Sequence, residues 1–234
     1  MFKKIIKITL YTLVSLLLFK SIEKYVSSTD YFKIKKINII GNNFVNNEII
    51  YKLINNKINE NIFNINLKEI NSAINKNDYI YSSKVFTLFP ASIFIEISEI
   101  VPIGIYKNNN KRYLLDINSN SIEANNNALN YYNVPIISNI NNYSDKIKIS
   151  QVLKRILLTN ESLYLLINQI DLGKEEININ LNSKTQITLN KNKTENDLTV
   201  LFEFIKNISE IKKITSYQYI DLTTKDQIIV KEVI

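Results

Sequence analysis

The side chains in this 234-residue sequence that could carry out a reaction are carboxylates. The sequence has no His, no Cys and no Trp, which removes Ser-His-Asp triads, thiol nucleophiles and zinc sites built from imidazole and thiolate. Its three glycines, Gly41, Gly104 and Gly173, are scattered, whereas a phosphate-cradling loop needs several within one turn. That leaves Asp116, Glu123, Asp171 and Asp221, two of which could in principle flank a glycosidic bond. Sequence spacing brings no two of them together. Asp116 and Asp221 each end a β-like run before a turn, where a carboxylate most often accepts from backbone N–H groups. Tyr79/Tyr81 and Tyr131/Tyr132 read as core, strand or hinge residues rather than a sugar-binding platform. The sequence therefore predicts no catalytic residue, no cofactor, no metal and no small-molecule substrate.

Charge argues against nucleic acid. The formal net charge is +7, but Lys3, Lys4, Lys7, Lys20 and Lys24 lie in the first thirty residues against only Glu23 and Asp30. The rest is mildly basic, and Arg112 and Arg155 are the only arginines. A nucleic-acid reader usually shows an Arg-rich stripe. Asn-rich stretches at 108–110 and 125–127 read as loops.

The amino terminus sets the compartment. Lys3, Lys4 and Lys7 precede an apolar run containing Ile8, Leu10, Leu13, Val14, Leu16, Leu17, Leu18 and Phe19. As a helix, residues 5–22 would extend about 27 Å, enough to cross a bilayer if Lys7 and Lys20 snorkel. The following residues 20–26 lack the small-x-small pair of a cleavage site, so an uncleaved signal anchor is expected rather than a removed signal peptide. The basic flank places residues 1–7 in the cytoplasm, an anchor at 8–26, and the remainder outside the membrane. With no Cys, that ectodomain must fold without disulfides.

Two units follow. Residues 33–40 alternate into an apolar run closed by Gly41, which predicts a strand and turn. Asn46 or Asn47 caps a helix with Ile49, Ile50, Leu53 and Ile54 on one face. Asn66 and Glu69 open a second helix burying Leu67, Ile70 and Ile74. Strands at 79–88 and 91–98 lie three residues apart, which favours an antiparallel hairpin. The order strand-helix-helix-strand-strand places two helices on one face of a small sheet. The second unit shows a strand at 112–116, a turn, and Ile122. A helix carrying Ile149, Val152, Leu153, Ile156 and Leu157 follows Ser144 or Asp145. Strands are expected at 168–172, 176–181 and 185–189. A helix opening at Thr194 with Asp197 carries Leu198, Leu201, Phe202 and Ile205. Strands at 217–223 and 227–233 flank a turn through 224–226.

This series resembles the FtsQ/DivIB family of bacterial cell division proteins. The resemblance is carried by the strand-Gly41-Asn42 start, Asn61-Ile62-Phe63, Asn66-Leu67, Tyr79-Ile80, Val85, residues 89–95 from Phe89 to Ile95, and residues 99–102 from Glu99 to Pro102. Later, residues 112–122 are similar to a family strand and turn, with Ser119 or Asn120 where that turn carries glycine. Tyr219-Ile220-Asp221-Leu222 is similar to another family element, with Thr223 in place of an arginine. The resemblance implies an α+β protein: a transmembrane helix, a POTRA domain (β-α-α-β-β) at 31–101, and a mixed α/β domain at 102–234. The sheet of that last domain would be largely antiparallel and end in an edge strand.

The final run is rich in β-branched Ile228, Ile229, Val230 and Val233, and an edge strand leaves backbone groups free for a partner. By composition alone a protected edge, with Lys231 and Glu232 as gatekeepers, reads as well. The resemblance implies docking of FtsB-like and FtsL-like bitopic proteins, the former by strand addition, at Thr224, Gln227, Ile228, Ile229, Val230 and Lys231. It also implies a non-enzymatic scaffold among other divisome components in septum formation, single-pass in the inner membrane with its C-terminal domain periplasmic. A POTRA protein of outer-membrane assembly or secretion, and a membrane-anchored cell-wall hydrolase, are the alternatives.

Overall fold

The computed structural model describes residues 2–55, 57–225 and 227–233. The chain separates into two compact units, Met1–Glu99 and Ile100–Ile234.

The first unit begins with α1, Phe2–Ser28, a run rich in Leu, Ile and Lys without Gly or Pro to break it. Residues 2–7, expected as a tail, belong to the same helix, because nothing between Lys4 and Ile8 stops helical propagation. Ile8, Leu10, Leu13, Val14, Leu16, Leu17, Leu18 and Phe19 are all exposed, so α1 is apolar around its circumference, as a membrane-crossing helix is. The Thr and Ser hydroxyls of its apolar stretch bond back to the helix itself. The Thr9 hydroxyl donates to the Ile6 carbonyl at 2.9 Å, Thr12 to Thr9 at 2.9 Å, Ser15 to Thr12 at 2.9 Å and Ser21 to Leu17 at 2.8 Å. Each hydroxyl is thus satisfied within the helix, as a lipid environment requires.

A 3-10 turn at Asp30–Phe32 leads into β1, Lys36–Ile40. Then come α2, Asn47–Leu53; α3, Leu67–Ile74; β2, Ile80–Leu88; and β3, Ser92–Glu99. The strands order β1-β3-β2, with β1 parallel to β3 and β2 antiparallel to it. The expected hairpin is therefore present, and β1 slots beside β3 rather than beside its neighbour in sequence. Asn46 Oδ1 accepts from Ile49 N at 3.0 Å, and Asn66 Oδ1 accepts from Lys68 N at 3.1 Å and Glu69 N at 3.2 Å. Each cap satisfies amides that the first helical turn leaves unpaired.

Ile50, Ile54, Ile70 and Ile74 pack on Ile93, Ile95 and Ile97 of the sheet. Ile49 is 41% exposed, and Leu53 and Leu67 are half-buried. The seven-residue α2 is too short to bury a four-residue stripe, and the pair four apart takes the core position.

The β1–α2 connection is fixed twice. Gly41 adopts φ +81°, and a Cβ there would collide with the Ile97 carbonyl oxygen. Glu99 Oε1 accepts from Asn43 N at 3.0 Å, Phe44 N at 3.0 Å and Val45 N at 2.8 Å, tying the loop to the end of β3.

The second unit is built on a mixed sheet. Its elements are β4, Pro102–Asn108; β5, Lys111–Asp116; β6, Ser121–Glu123; α4, Asn126–Tyr131; and β7, Ile136–Ser138. They continue with α5, Tyr143–Thr159; α6, Glu161–Leu166; β8, Ile167–Leu172; β9, Glu176–Leu181; and β10, Gln186–Asn190. The last are α7, Thr194–Ile208; β11, Tyr217–Asp221; and β12, Ile229–Glu232. Among the described residues the strand order is β12-β11-β10-β9-β8-β7-β4-β5-β6. Neighbours are antiparallel except at β10–β11, β7–β8 and β4–β7. Ile149, Val152, Leu153 and Ile156 of α5 and Leu198 and Leu201 of α7 share one core with Ile170, Ile177, Ile179, Ile187 and Leu189 of the sheet. Leu157, Phe202 and Ile205 pack only partly against it.

Several local details differ from the sequence reading. Asn142, not Ser144 or Asp145, caps α5, accepting from Asp145 N at 2.9 Å. Asn125, read as loop, caps α4 through Ala128 N at 2.9 Å. Asn109 and Asn110 have φ of 46° and 64°, the pair of positive angles a two-residue hairpin needs, and so join β4 to β5.

Gly41→Ala should destabilise the first unit by about 1–3 kcal/mol, since it combines a left-handed φ with a backbone clash. Glu99→Ala should cost about 1–3 kcal/mol by leaving several loop amides without their carboxylate. Hydrogen exchange of the full chain checks both: protection should fall across residues 36–99 and stay unchanged across 102–234.

Candidate functional site

β12 is the last element of the sheet, and among the described residues it pairs on one side only. Its partner β11 runs antiparallel in the register Asp221↔Ile229, Ile220↔Val230, Tyr219↔Lys231 and Tyr217↔Glu232, with an irregularity between Tyr217 and Tyr219. All four residues of β12 are exposed. In such a ladder alternate residues direct their N–H and C=O groups away from the neighbour, so the outer rim of β12 offers backbone donors and acceptors to solvent.

The strand is pinned at both ends. Before it, Asp221 Oδ1 accepts from Thr223 N at 2.8 Å and from the Thr223 hydroxyl at 2.7 Å, while Leu222 N donates to Thr188 O at 3.0 Å. Leu222 is buried and Ile228 packs on the core. After it, Val233 N donates to Ser216 O at 2.9 Å. Lys212 Nζ donates to Glu232 Oε1 at 2.6 Å, a bond that raises the ammonium's pKa. Pinning spares a partner much of the entropic cost of ordering the edge.

Of the six residues expected to meet a partner, Ile229, Val230 and Lys231 lie on the strand, whereas Thr224, Gln227 and Ile228 precede it. The strand starts two residues later than its β-branched composition predicts, because Ile228 is drawn into the core instead of continuing the ladder. The Asp226 end of the expected turn lies outside the described residues. Thr224, Gln227 and Ile228 line a cavity of about 430 Å³ with Lys193, Asn196 and Val200 of the α7 region, a feature no periodicity in the sequence announces. Asp197 also lines it. Its carboxylate is buried, accepts from Asn190 N at 2.6 Å, and is held above the ordinary pKa chiefly by that burial.

The four candidate carboxylates are each committed locally. Asp116, 1% exposed, accepts from Asn118 N at 2.9 Å and Asn120 N at 2.7 Å, as its position before a turn predicts. Ser119 takes the positive φ there, 69°. Glu123 pairs with Lys111 at 2.8 Å on the surface. Asp171 accepts from Gln169 Nε2 at 2.8 Å and Asn180 Nδ2 at 3.1 Å. Asp171 and Asp221 lie on β8 and β11, three strand spacings or about 14 Å apart, wider than either glycosidase geometry uses. Among the described residues no group of three or more acidic, His or Cys side chains could hold a metal ion.

A helix long and apolar enough to cross a membrane, followed by a three-stranded sheet carrying two helices in the order β-α-α-β-β, is the arrangement of a POTRA protein with an N-terminal apolar helix. Residues 32–99 match the family POTRA domain, FtsQ-type. Cell division protein FtsQ of Rickettsia bellii is 26% identical over 196 residues, 84% of this chain and 70% of the relative. That of Rickettsia felis is 25% identical over 216 residues, 89% and 78% respectively. That of Syntrophotalea carbinolica is 31% identical over 80 residues, 34% and 28%. The major extracytoplasmic domain of the trans isomer of the cell division protein DivIB from Geobacillus stearothermophilus aligns with 50% of this chain and 99% of its own at 9% identity and a TM-score of 0.36. Residues 32–99 thus match an FtsQ-type POTRA domain, and most of the chain is similar to FtsQ proteins of bacterial cell division.

Asp197 gives this site a pH signature. Its folded pKa lies above the unfolded value of 3.8, so its stabilising contribution is complete below that value and is lost as pH rises through the folded pKa. Asp197→Asn keeps an oxygen for Asn190 N–H and removes the titration. Urea unfolding at pH 4 and pH 7 should show the variant gaining on the wild type at the higher pH; a difference that does not change with pH would mean burial of this carboxylate does not govern it.

Proposed function

We propose that this chain is a non-enzymatic scaffold of the divisome, held in the inner membrane by α1 with residues beyond about 27 on the extracytoplasmic side. In this reading β12 accepts a strand from small bitopic division proteins of the FtsB and FtsL type. The observation that carries it is a sheet-edge strand that among the described residues is bonded on one side, pinned at both ends and exposed along its whole length. The FtsQ-type POTRA match and the similarity to FtsQ proteins support the division context.

Mechanically, the anchor confines the chain to two dimensions and raises the effective concentration of partner ectodomains, while the edge turns proximity into register-specific pairing. Lys231 and Glu232 then limit indiscriminate pairing without abolishing it. A basic flank of Lys3, Lys4 and Lys7 supports the cytoplasmic placement of the amino terminus. Two features argue against the alternatives. The large sheet is open, with β12 and β6 at its ends, unlike a closed membrane barrel, and the four carboxylates serve turns, a surface ion pair and a polar sheet face.

Removing residues 229–234 from the full-length chain in detergent, which leaves Ile228 in the core, should abolish pulldown of FtsB-like and FtsL-like partners while exchange protection of residues 36–99 persists. Retained capture would refute strand addition. The purified chain should release no soluble muropeptides from sacculi; release lost on Glu123→Gln would restore the hydrolase reading.

A further inference from the structure

Three exposed rings gather where α1 meets the first sheet. Tyr31 lies in the 3-10 turn after the helix, Phe63 in the loop between α2 and α3, and Phe89 at the tip of the β2–β3 hairpin. Through Phe32 they form one ladder, with centroid separations of 5.1 Å for Tyr31–Phe32, 5.1 Å for Phe32–Phe63 and 5.3 Å for Phe63–Phe89. Their exposures are 60%, 53% and 61%, respectively, whereas Phe32 is half-buried against the core.

The three segments are bonded together. Lys35 N donates to Ala91 O at 2.8 Å, Lys33 bridges Asn61, and Ile62 N donates to Phe32 O at 2.9 Å. The same surface is tied to the helix. Asn61 Nδ2 donates to Val26 O at 2.7 Å, and Thr29 N donates to Tyr25 O at 3.0 Å.

Length and charge say what covers this surface. The 27 residues of α1 make a rod of about 40 Å, close to the full thickness of a bilayer with its headgroup layers. If residues 5–22 fill the hydrocarbon, the six residues from Glu23 to Ser28 rise about 9 Å through the interfacial layer. The rings bonded to that end of the helix then stand at headgroup depth, where aromatic side chains partition favourably. Residues 20–36 add Lys20, Lys24, Lys33, Lys35 and Lys36 against Glu23 and Asp30, a surplus suited to anionic headgroups.

We propose that Tyr31, Phe63 and Phe89 form a foot that docks into the phospholipid headgroup layer of the membrane holding α1, seating the POTRA domain on the bilayer. This rests on α1 being a membrane anchor. The foot restricts the first unit's tilt in a way a flexible tether would not, and it makes the height of that unit a property of the lipid surface.

Because the chain has no Trp, single substitutions give clean reporters. Full-length Phe89→Trp, Phe63→Trp, Phe19→Trp and Tyr81→Trp variants would be reconstituted into phosphatidylethanolamine/phosphatidylglycerol vesicles, with and without brominated acyl chains. Tyr81, 60% exposed, lies on β2 about 23 Å along the strand from Leu88. Brominated lipid should quench most of the Phe19→Trp emission, clearly reduce that of Phe89→Trp and Phe63→Trp, and leave Tyr81→Trp unchanged. Quenching at Phe19→Trp with none at either foot position would overturn the foot and leave the anchor intact. No quenching at Phe19→Trp would overturn the anchor, and the foot with it. Foot emission that shifts to the blue with rising protein-to-lipid ratio, without bromine quenching, would assign the surface to a second copy of the chain or another protein and overturn the proposal.

Discussion

A peptide N–H or C=O withdrawn from water must find a partner, and the two ends of this chain answer that constraint in opposite ways. Along its apolar stretch α1 serves its own backbone, and the hydroxyls of Thr9, Thr12, Ser15 and Ser21 bond back to carbonyls within the helix. Such an element can lie in a medium that offers no hydrogen bonds. β12 does the reverse. One side of its ladder is satisfied by β11, and among the described residues the other side pairs with nothing. Each of the two units carries its own buried aliphatic core, which fixes local geometry without a disulfide.

The same constraint explains how a chain with three glycines makes so many turns. Among the described residues, the non-glycine positions with positive φ are Asn55, Asn59, Asn109, Asn110, Asn139, Ser119 and Lys184. Asn tolerates the left-handed region because its short amide can bond the local backbone. Asn also caps α2, α3, α4, α5 and α6. An amide-rich composition that looks like low complexity is thus doing two structural jobs, ending strands and starting helices.

That double use marks the limit of what could be read from the sequence. The first unit was legible almost throughout, because Ile93, Ile95 and Ile97 alternate strictly and Asn66 with Glu69 is a recognisable helix start. The long apolar helix was legible from hydropathy. What escaped were elements too short to show a period: β7, three residues held between β4 and β8, and α4, six residues behind an Asn that looks like loop. β4 escaped as well, since Pro102 and Gly104 break its pattern. At the candidate site the existence and direction of the last strand were legible, but its start was not. Ile228 is as β-branched as Ile229, and only the three-dimensional proximity of the core decides which of them packs inward.

Strand addition at β12, as proposed, would read backbone, and this suits a chain that shares only about a quarter of its residues with the FtsQ proteins it resembles. Side-chain pockets drift with every substitution lining them, whereas an added strand asks for an exposed edge, β-compatible residues and a fixed register. Thr223 standing where the family resemblance expects arginine is tolerable on this view, since Thr223 closes the turn through Asp221 and does not belong to the pairing rim. Under that proposal selectivity would come from elsewhere: from the cavity behind the strand, where Thr224, Gln227 and Ile228 meet α7, and from confinement to the membrane, which would limit which chains reach the edge.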